Sequence, residues 1–495
     1  MYSNLEYVIT TSDDVEDVIF ESIEEYFLRD VSQDIDMGNL IGEYLDAFKD
    51  DLYFLIEYPY VDKVYRNSYY HYYASKHSAY QRDCIRVSIF SEKIESGDFL
   101  NVDMHGSLKE KFLGYFILRP LKAIIGRSVI NPVAFEEDNF KICSYSGDCL
   151  IYGIKFRAEG FPHSSQDAET ITCAETTVWA LMEYFGTKYS EYKPVLPSQI
   201  IDTLKSQAME RQLPSDGLTM DEVSFVLKQY GFGPKLYSQT QYQESLFEII
   251  DAYIESGIPV MTGLKSATGG LGHVVVLVGK QYDQPNFKAV KTKNYTAFKR
   301  NVNYYDAADL AEYYVVQDDN QPPYSLITLD KPGALYSDTD SQSYAINSVV
   351  IPLYPRIYLE AFVAKNLIVE ILKDTVLGCD FKDEFVLRFF LASSRSFKTH
   401  ISDLEGFDAD LKNSMLLVKM PKFIWIAEIY ERDAFKYESG EAAGLIVLDA
   451  TETNQASTDT LIFAAYPSHF VSIKENKFIF LQHTLKNYRY YNNLD

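Results

Sequence analysis

The sequence predicts an α+β protein of several domains, and three observations carry that expectation. The chain has 495 residues, more than one hydrophobic core ordinarily serves, so about two to four domains are expected. Apolar residues make up 47% and charged residues 24%, the balance of a packed globular protein and not of a disordered one. Segments with apolar residues at helical spacing alternate with short β-branched and aromatic runs. Shifts in this pattern mark an N-terminal α+β region over 1–150, a central region over 151–335 and a C-terminal α/β region over 336–495.

The formal net charge is −25. Such a surface repels nucleic-acid backbones and anionic membranes, which are excluded as primary partners. No apolar run approaches the ~20 residues of a membrane-spanning helix. The acidic start, MYSNLEYVITTSDDVEDVIF, lacks the basic and apolar regions of a signal peptide. The expected location is therefore the cytoplasm, with reduced thiols at Cys84, Cys143, Cys149, Cys173 and Cys379. Their odd number and wide spacing predict neither a disulfide framework nor a metal site. Cys143 and Cys149 read as core thiols on adjacent strands. The 40 tyrosines, clustered in 65–80, fit an interaction surface and ordinary amphipathic packing alike.

In the N-terminal region, 14–30 and 38–57 have the spacing of amphipathic helices. Residues 84–90 (CIRVSIF) alternate as a half-buried strand does. Residues 112–118 (FLGYFIL) form a near-continuous apolar run closed by Arg119-Pro120. His71 and His77 have no carboxylate or thiol partner at a ligand spacing. Arg82, Arg86, Arg119 and Arg127 read as salt-bridged or solvated, with an anion pocket as the alternative.

The central region is organised around 166–186, QDAETITCAETTVWALMEYFG. Thr172 and Glu175 have the T-x-x-E spacing of a capping box, which makes Cys173 the first helical residue. Ala174, Val178, Leu181, Met182 and Phe185 then predict one buried face, and Gly186 a stop. The first turn of a helix carries unpaired N–H groups and the positive end of the dipole, so a thiolate there is stabilised. A helix over 198–211 follows, then DGLTMDEVSFVLKQYG over 216–231 with a second capping box at Thr219 and Glu222. A further helix over 246–256 leads into a strand at 257–261. The glycine-rich turn 269–272 is not a phosphate loop, because no helix and no Lys-Ser/Thr follow it. His273 opens HVVVLVG, a strand buried on both faces. Residues 313–317 form the next strand and end in Asp318-Asp319-Asn320.

A cysteine on a helix N-terminus, a histidine opening a later strand and an acid closing the next are the parts of a thiol-nucleophile site. The imidazole takes the thiol proton and the acid fixes its tautomer. Gln166, upstream of Cys173, is placed to donate an amide N–H to an oxyanion.

These motifs together resemble a papain-like cysteine peptidase domain, a helical part plus an antiparallel sheet. More narrowly, they resemble the bacterial branch that processes double-glycine leader peptides. The matching features are, in order, Gln before Cys on a helix, a D-G-x-T-x-x-E helix ending Tyr-Gly, a G-x-P-V strand, and a G-H-x-V-V-x-x-G strand leading to a strand-end Asp. The resemblance implies Cys173 as nucleophile, His273 as base, Asp318 as orienting acid and Gln166 as oxyanion residue, with a protein or peptide substrate and no cofactor. The family has Asp-Pro where this chain has Asp318-Asp319, which leaves Asp319 open as the third residue. The family also joins the two strands by a short hairpin, whereas here an insert spans 281–312. Its Lys288, Lys291, Lys293, Lys299 and Arg300 are expected beside the site, holding an acidic substrate or partner segment. The alternative is a loop solvated or paired with the chain's own acids. No ATP-binding motif or membrane span suggests export-coupled processing. An acyltransferase or deamidase on the same fold, and a non-catalytic interaction protein on a peptidase scaffold, stay open as other readings.

The C-terminal region follows a polar break at 336–343 (YSDTDSQS). Strands are expected at 346–353, 415–418, 423–429, 445–448 and 461–465, and helices at 356–373 and 383–393. His400, His469 and His483 have no cysteine nearby for a second site. KNYRYYNN reads as a surface tail. The flanking regions are expected to select substrate, regulate access or bind a protein partner.

Overall fold

The computed structural model describes residues 5–29, 31, 34–76, 80–166, 173–205, 219–269, 272–381, 383–454, 456–474 and 477–494. His77, the cap expected at Thr172, residues 206–218 and the Gly270-Leu271 turn lie outside them. The protein is mixed α+β and built on three main sheets.

The N-terminal sheet is a five-stranded antiparallel meander of Glu6–Thr11, Tyr53–Tyr60, Cys84–Phe90, Phe112–Leu118 and Ile125–Ile130. The helix expected over 38–57 is two elements, the helix Ile35–Leu45 and the strand Tyr53–Tyr60. YFLIEYPY is aromatic and β-branched, and such residues fit a pleated surface better than a helix. Cys84–Phe90 is buried along its whole length and not half-buried. The hairpin of Tyr145–Ile151 and Ile154–Gly160 packs here, with Phe156 against Phe90 and Phe112. Arg86 alternates into this interior and bonds Glu57 at 2.8 Å. Arg127 bonds Asp62 at 3.0 Å, so these arginines are internal ties.

The central sheet runs in the order Ser325–Ile327, Tyr314–Gln317, His273–Gln281, Val260–Ser266, Tyr344–Ile351, Lys235–Ser238, all antiparallel. Phe140–Ile142 pairs with the far end of the His273 strand. The sheet thus takes one strand from before residue 151 and one from after residue 335. The helix Cys173–Lys188 lies between this sheet and the N-terminal unit, and 174–185 are buried in an unbroken run. It is therefore packed all round, not on one face, with Glu175, Thr176, Thr177 and Glu183 buried among its apolar residues. It also runs past Gly186, where a Cβ would come within 2.1 Å of the Pro194 nitrogen. That glycine permits a close approach and ends nothing. The second capping box is present: the Glu222 N–H donates to Thr219 Oγ1 at 3.3 Å and the Thr219 N–H to the Glu222 carboxylate at 2.7 Å.

The C-terminal sheet has eight strands. Its first two, Lys293–Ala297 and Arg300–Asp306, are a hairpin from the 281–312 insert, and Arg300–Asp306 pairs in parallel with Phe385–Ser393. Phe423–Glu431, Gly444–Asp449, Leu461–Ala465, Phe470–Lys474 and Lys477–Leu481 follow in antiparallel order. The segment 385–393 is a strand and not the expected helix. Leu387, Phe389 and Leu391 join the core shared with the central sheet, and Val386, Phe390 and Ala392 a second core under the helices Ser394–Asp403 and Ala409–Leu417. A strand apolar on both faces shows no period of two. Residues 415–417, expected in a strand, close the second of those helices. The KNYRYYNN tail is also internal: Tyr488, Tyr490 and Tyr491 are buried in the second core.

A buried charge network ties the central and C-terminal sheets. Lys280, fully buried on the His273 strand, bonds Asp251 at 2.7 Å and lies against Glu255. Arg388, also fully buried, pairs with Glu255 and bonds Glu428 at 2.7 Å. Hydroxyls of Tyr314, Tyr430 and Tyr488 donate to Asp251, Glu428 and Glu428 at 2.9, 2.6 and 3.1 Å. No helix among the described residues is long and apolar enough to cross a membrane.

Candidate functional site

Cys173 is the first residue of its helix, and its side chain is half-buried. The Thr177 hydroxyl, one turn on, donates to the Cys173 carbonyl at 2.5 Å and lies 3.4 Å from the Val274 carbonyl, which seats the helix end on the His273 strand. His273 begins that strand beside Leu264. Asp318 follows the end of the neighbouring strand, Tyr314–Gln317. Three elements therefore deliver three side chains to one point.

His273 Nε2 donates to Asp318 Oδ1 at 2.8 Å, and the Cys173 thiol lies near enough to the ring to favour its protonation. With Nε2 held by Asp318, Nδ1 is the nitrogen left for the sulfur. Asp319 Oδ1 is 3.8 Å from the same Nε2 and makes no hydrogen bond to it. Burial alone would lower the His273 pKa, but Asp318, the thiol contact and Asp319 outweigh it and raise it well above the ordinary value. Burial would raise Asp318, but the imidazole beside it, the Tyr336 hydroxyl and the Asn320 amide hold it below the ordinary carboxylate value. The imidazolium is therefore the favoured partner of an ionised Asp318.

Asp318 is held from all sides. Its Oδ1 also accepts from the Asn320 N–H at 3.0 Å, and its Oδ2 accepts from the Tyr336 hydroxyl. His163 bonds its backbone carbonyl at 2.9 Å through Nε2. Burial pushes His163 down to about 4, so that ring is neutral at pH 7. Asp319 differs: both carboxylate oxygens are buried without a hydrogen-bond partner among the described residues, and burial pushes it up to about 7. Two tyrosines wall the imidazole. Tyr344 stacks on it at 6.1 Å and 22°, Tyr336 meets it edge-on at 6.2 Å and 88°, and the two tyrosines contact each other.

Gln166 reaches the same corner: its Nε2 donates to Asn320 Oδ1 at 2.9 Å. One amide hydrogen is thereby spent on positioning. Among the described residues, His273, Asp318 and Asp319 present ligand atoms within 4.8 Å of one another, so they are also the group that could hold a metal ion, which would then replace the bond between His273 Nε2 and Asp318.

The five basic residues of the insert stand elsewhere, in and around the hairpin that edges the C-terminal sheet. Lys293 is bonded to Glu248, Asp306 and Asp309 at 2.6, 2.9 and 3.3 Å, and Arg300 pairs with Asp380 through Nε at 2.9 Å. Lys288, Lys291 and Lys299 are exposed. Sequence reasoning missed Tyr336, Tyr344, Asn320 and His163. Asn320 was within reach as the residue closing the Asp-Asp-Asn strand end, whereas Tyr336 opens a segment that reads as a polar break.

No protein-family model matches the chain, and no curated protein matches it.

Proposed function

We propose that the protein is a cysteine peptidase, hydrolysing a peptide or isopeptide bond through Cys173, His273 and Asp318. The observation that carries this reading is the imidazole of His273, bonded to a carboxylate at 2.8 Å, with a thiol on the first residue of a helix near it. A papain-like arrangement and a cytoplasmic setting belong to the same proposal.

The chemistry follows from the contacts. His273 takes the Cys173 proton, and the resulting thiolate sits among the unpaired N–H groups of the helix start. It attacks the carbonyl carbon, and the oxyanion is met by the Cys173 backbone N–H and the second amide hydrogen of Gln166. As the C–N bond breaks, the imidazolium gives its proton to the leaving amine, and a thioester remains on Cys173. Water, deprotonated by His273, attacks the thioester; the C–S bond breaks and the carboxylic acid and the thiol are restored. Asp318 keeps the ring in one orientation throughout, because Tyr336 and the Asn320 amide fix its own oxygens.

The test is incubation with a complex peptide library and identification of new chain ends by mass spectrometry, with Cys173→Ala beside the wild type. New termini made only by the wild type are expected. If no Cys173-dependent cleavage appears and a peptide aldehyde fails to form an adduct with Cys173, the reading is wrong.

A further inference from the structure

An enclosed cavity lies between the N-terminal unit and the Cys173 helix. Its polar lining is rich in donors: the guanidiniums of Arg119 and Arg127, the hydroxyls of Ser68 and Thr176, and the indole of Trp179. Among the described residues the carboxylate in the lining is Asp62, and it is already satisfied. It accepts from the Val64 and Tyr65 N–H groups at 3.0 and 2.9 Å and from Arg127 Nε at 3.0 Å.

Two lining side chains are incomplete. Arg119 is 6% exposed, and its Nη2 donates to the carbonyls of Ala123, Ile125 and Ser165 at 2.8, 2.8 and 2.9 Å. No carboxylate is bonded to it among the described residues, and its Nε has no acceptor. Trp179 is 2% exposed, and its Nε1 likewise has no acceptor among the described residues. A buried donor left unpaired costs about 1–3 kcal/mol, and a buried charge without a partner costs more. Asp319 is close enough to feel the Arg119 charge, but neither of its oxygens bonds it. A water in the cavity would satisfy the N–H groups and leave the guanidinium charge unanswered; an anion satisfies both. The space, about 20 Å³ for the occupant's centre, suits a single atom and excludes phosphate or a carboxylate metabolite.

We propose that this cavity binds a monatomic anion, of which chloride is the physiological candidate. The ion bridges Arg119, on the N-terminal unit, and Trp179, on the helix that begins with Cys173. It is a structural ligand, independent of the proposed reaction.

Crystals of the full chain grown in sodium bromide decide the matter by anomalous scattering at the bromine edge. A peak inside the cavity, in contact with Arg119 and Trp179, is expected. Density for water with no anomalous signal there overturns the proposal. In solution, the thermal midpoint of the wild type should rise saturably in sodium chloride relative to sodium gluconate at equal ionic strength. Trp179→Phe, which removes the N–H and keeps an aromatic ring, should lose most of that rise. Equal wild-type midpoints in the two salts would overturn the proposal as well.

Discussion

The two ends of the strand His273–Gln281 carry the same kind of material and use it differently. Both hold buried basic side chains facing a surplus of carboxylates. At the far end, Lys280 and Arg388 meet Asp251, Glu255 and Glu428, and tyrosine hydroxyls supply further donors. Burial raises Asp251 and Glu428, whereas Glu255, raised by burial but held by both cations, ends below its ordinary value. The charges there are locked by partners from several elements. At the near end, His273 faces Asp318, Asp319 and a thiol, yet one carboxylate has no hydrogen bond and the sulfur is not sealed in. A satisfied network is rigid and inert; a network with one open acid and one reachable nucleophile can exchange protons.

Substitutions can separate these roles. His273→Ala should slow iodoacetamide labelling of Cys173 in the folded protein at pH 7 by roughly 10²-fold or more, the usual contribution of a positioned base. Labelling that stays fast would make the near end as inert as the far one. Lys280→Met should do the opposite. It leaves buried carboxylates unpaired at a cost of about 3–5 kcal/mol, read as a lower urea midpoint, while the folded fraction still labels at Cys173 at the wild-type rate. Tyr336→Phe removes one charge-assisted hydrogen bond to Asp318 and should slow labelling about tenfold, in line with the ~1.5–3 kcal/mol such bonds contribute.

Asp319 gives a prediction with a sign. Its pKa is near 7 folded and about 3.9 unfolded, so between those values the folded state binds more protons and stability falls as pH rises. Asp319→Asn removes that loss. The variant should match the wild type near pH 4, gain on it through pH 7, and keep a constant lead above; thermal midpoints across that range are the measurement, and a difference that ignores pH contradicts the assignment. The smallest effect is expected from Lys288→Glu, Lys291→Glu and Lys299→Glu together, which should change turnover less than twofold. A larger loss would restore the basic insert as part of the substrate site.

The elements of the near end were legible because each is marked locally: a thiol before a helical run, a histidine before a β-branched run, acids after another. Tyr336 was not, because its hydrogen bond to Asp318 is a tertiary fact and its neighbours, Ser337 to Ser343, read only as polar. The strand Phe385–Ser393 was misread for a related reason. With apolar residues on both faces it lacks alternation, and Arg388 in its middle makes sense only beside Glu255 and Glu428. The tyrosines of 488–491 looked like surface because their hydroxyls are polar; in the fold those of Tyr488 and Tyr491 bond Glu428 and Ser396 while the rings fill the second core.

The hairpin Lys293–Ala297 and Arg300–Asp306 bears on how the molecule comes into being. Its sheet partner, Phe385–Ser393, leaves the ribosome some eighty residues later, and Tyr344–Ile351, which fills the central sheet beside Val260–Ser266, also emerges after Cys173, His273 and Asp318 have all been made. The three side chains therefore exist as translated residues well before the strands that surround them. A nascent chain carries Cys173, His273 and Asp318 for a time without the later strands that complete the sheets around them.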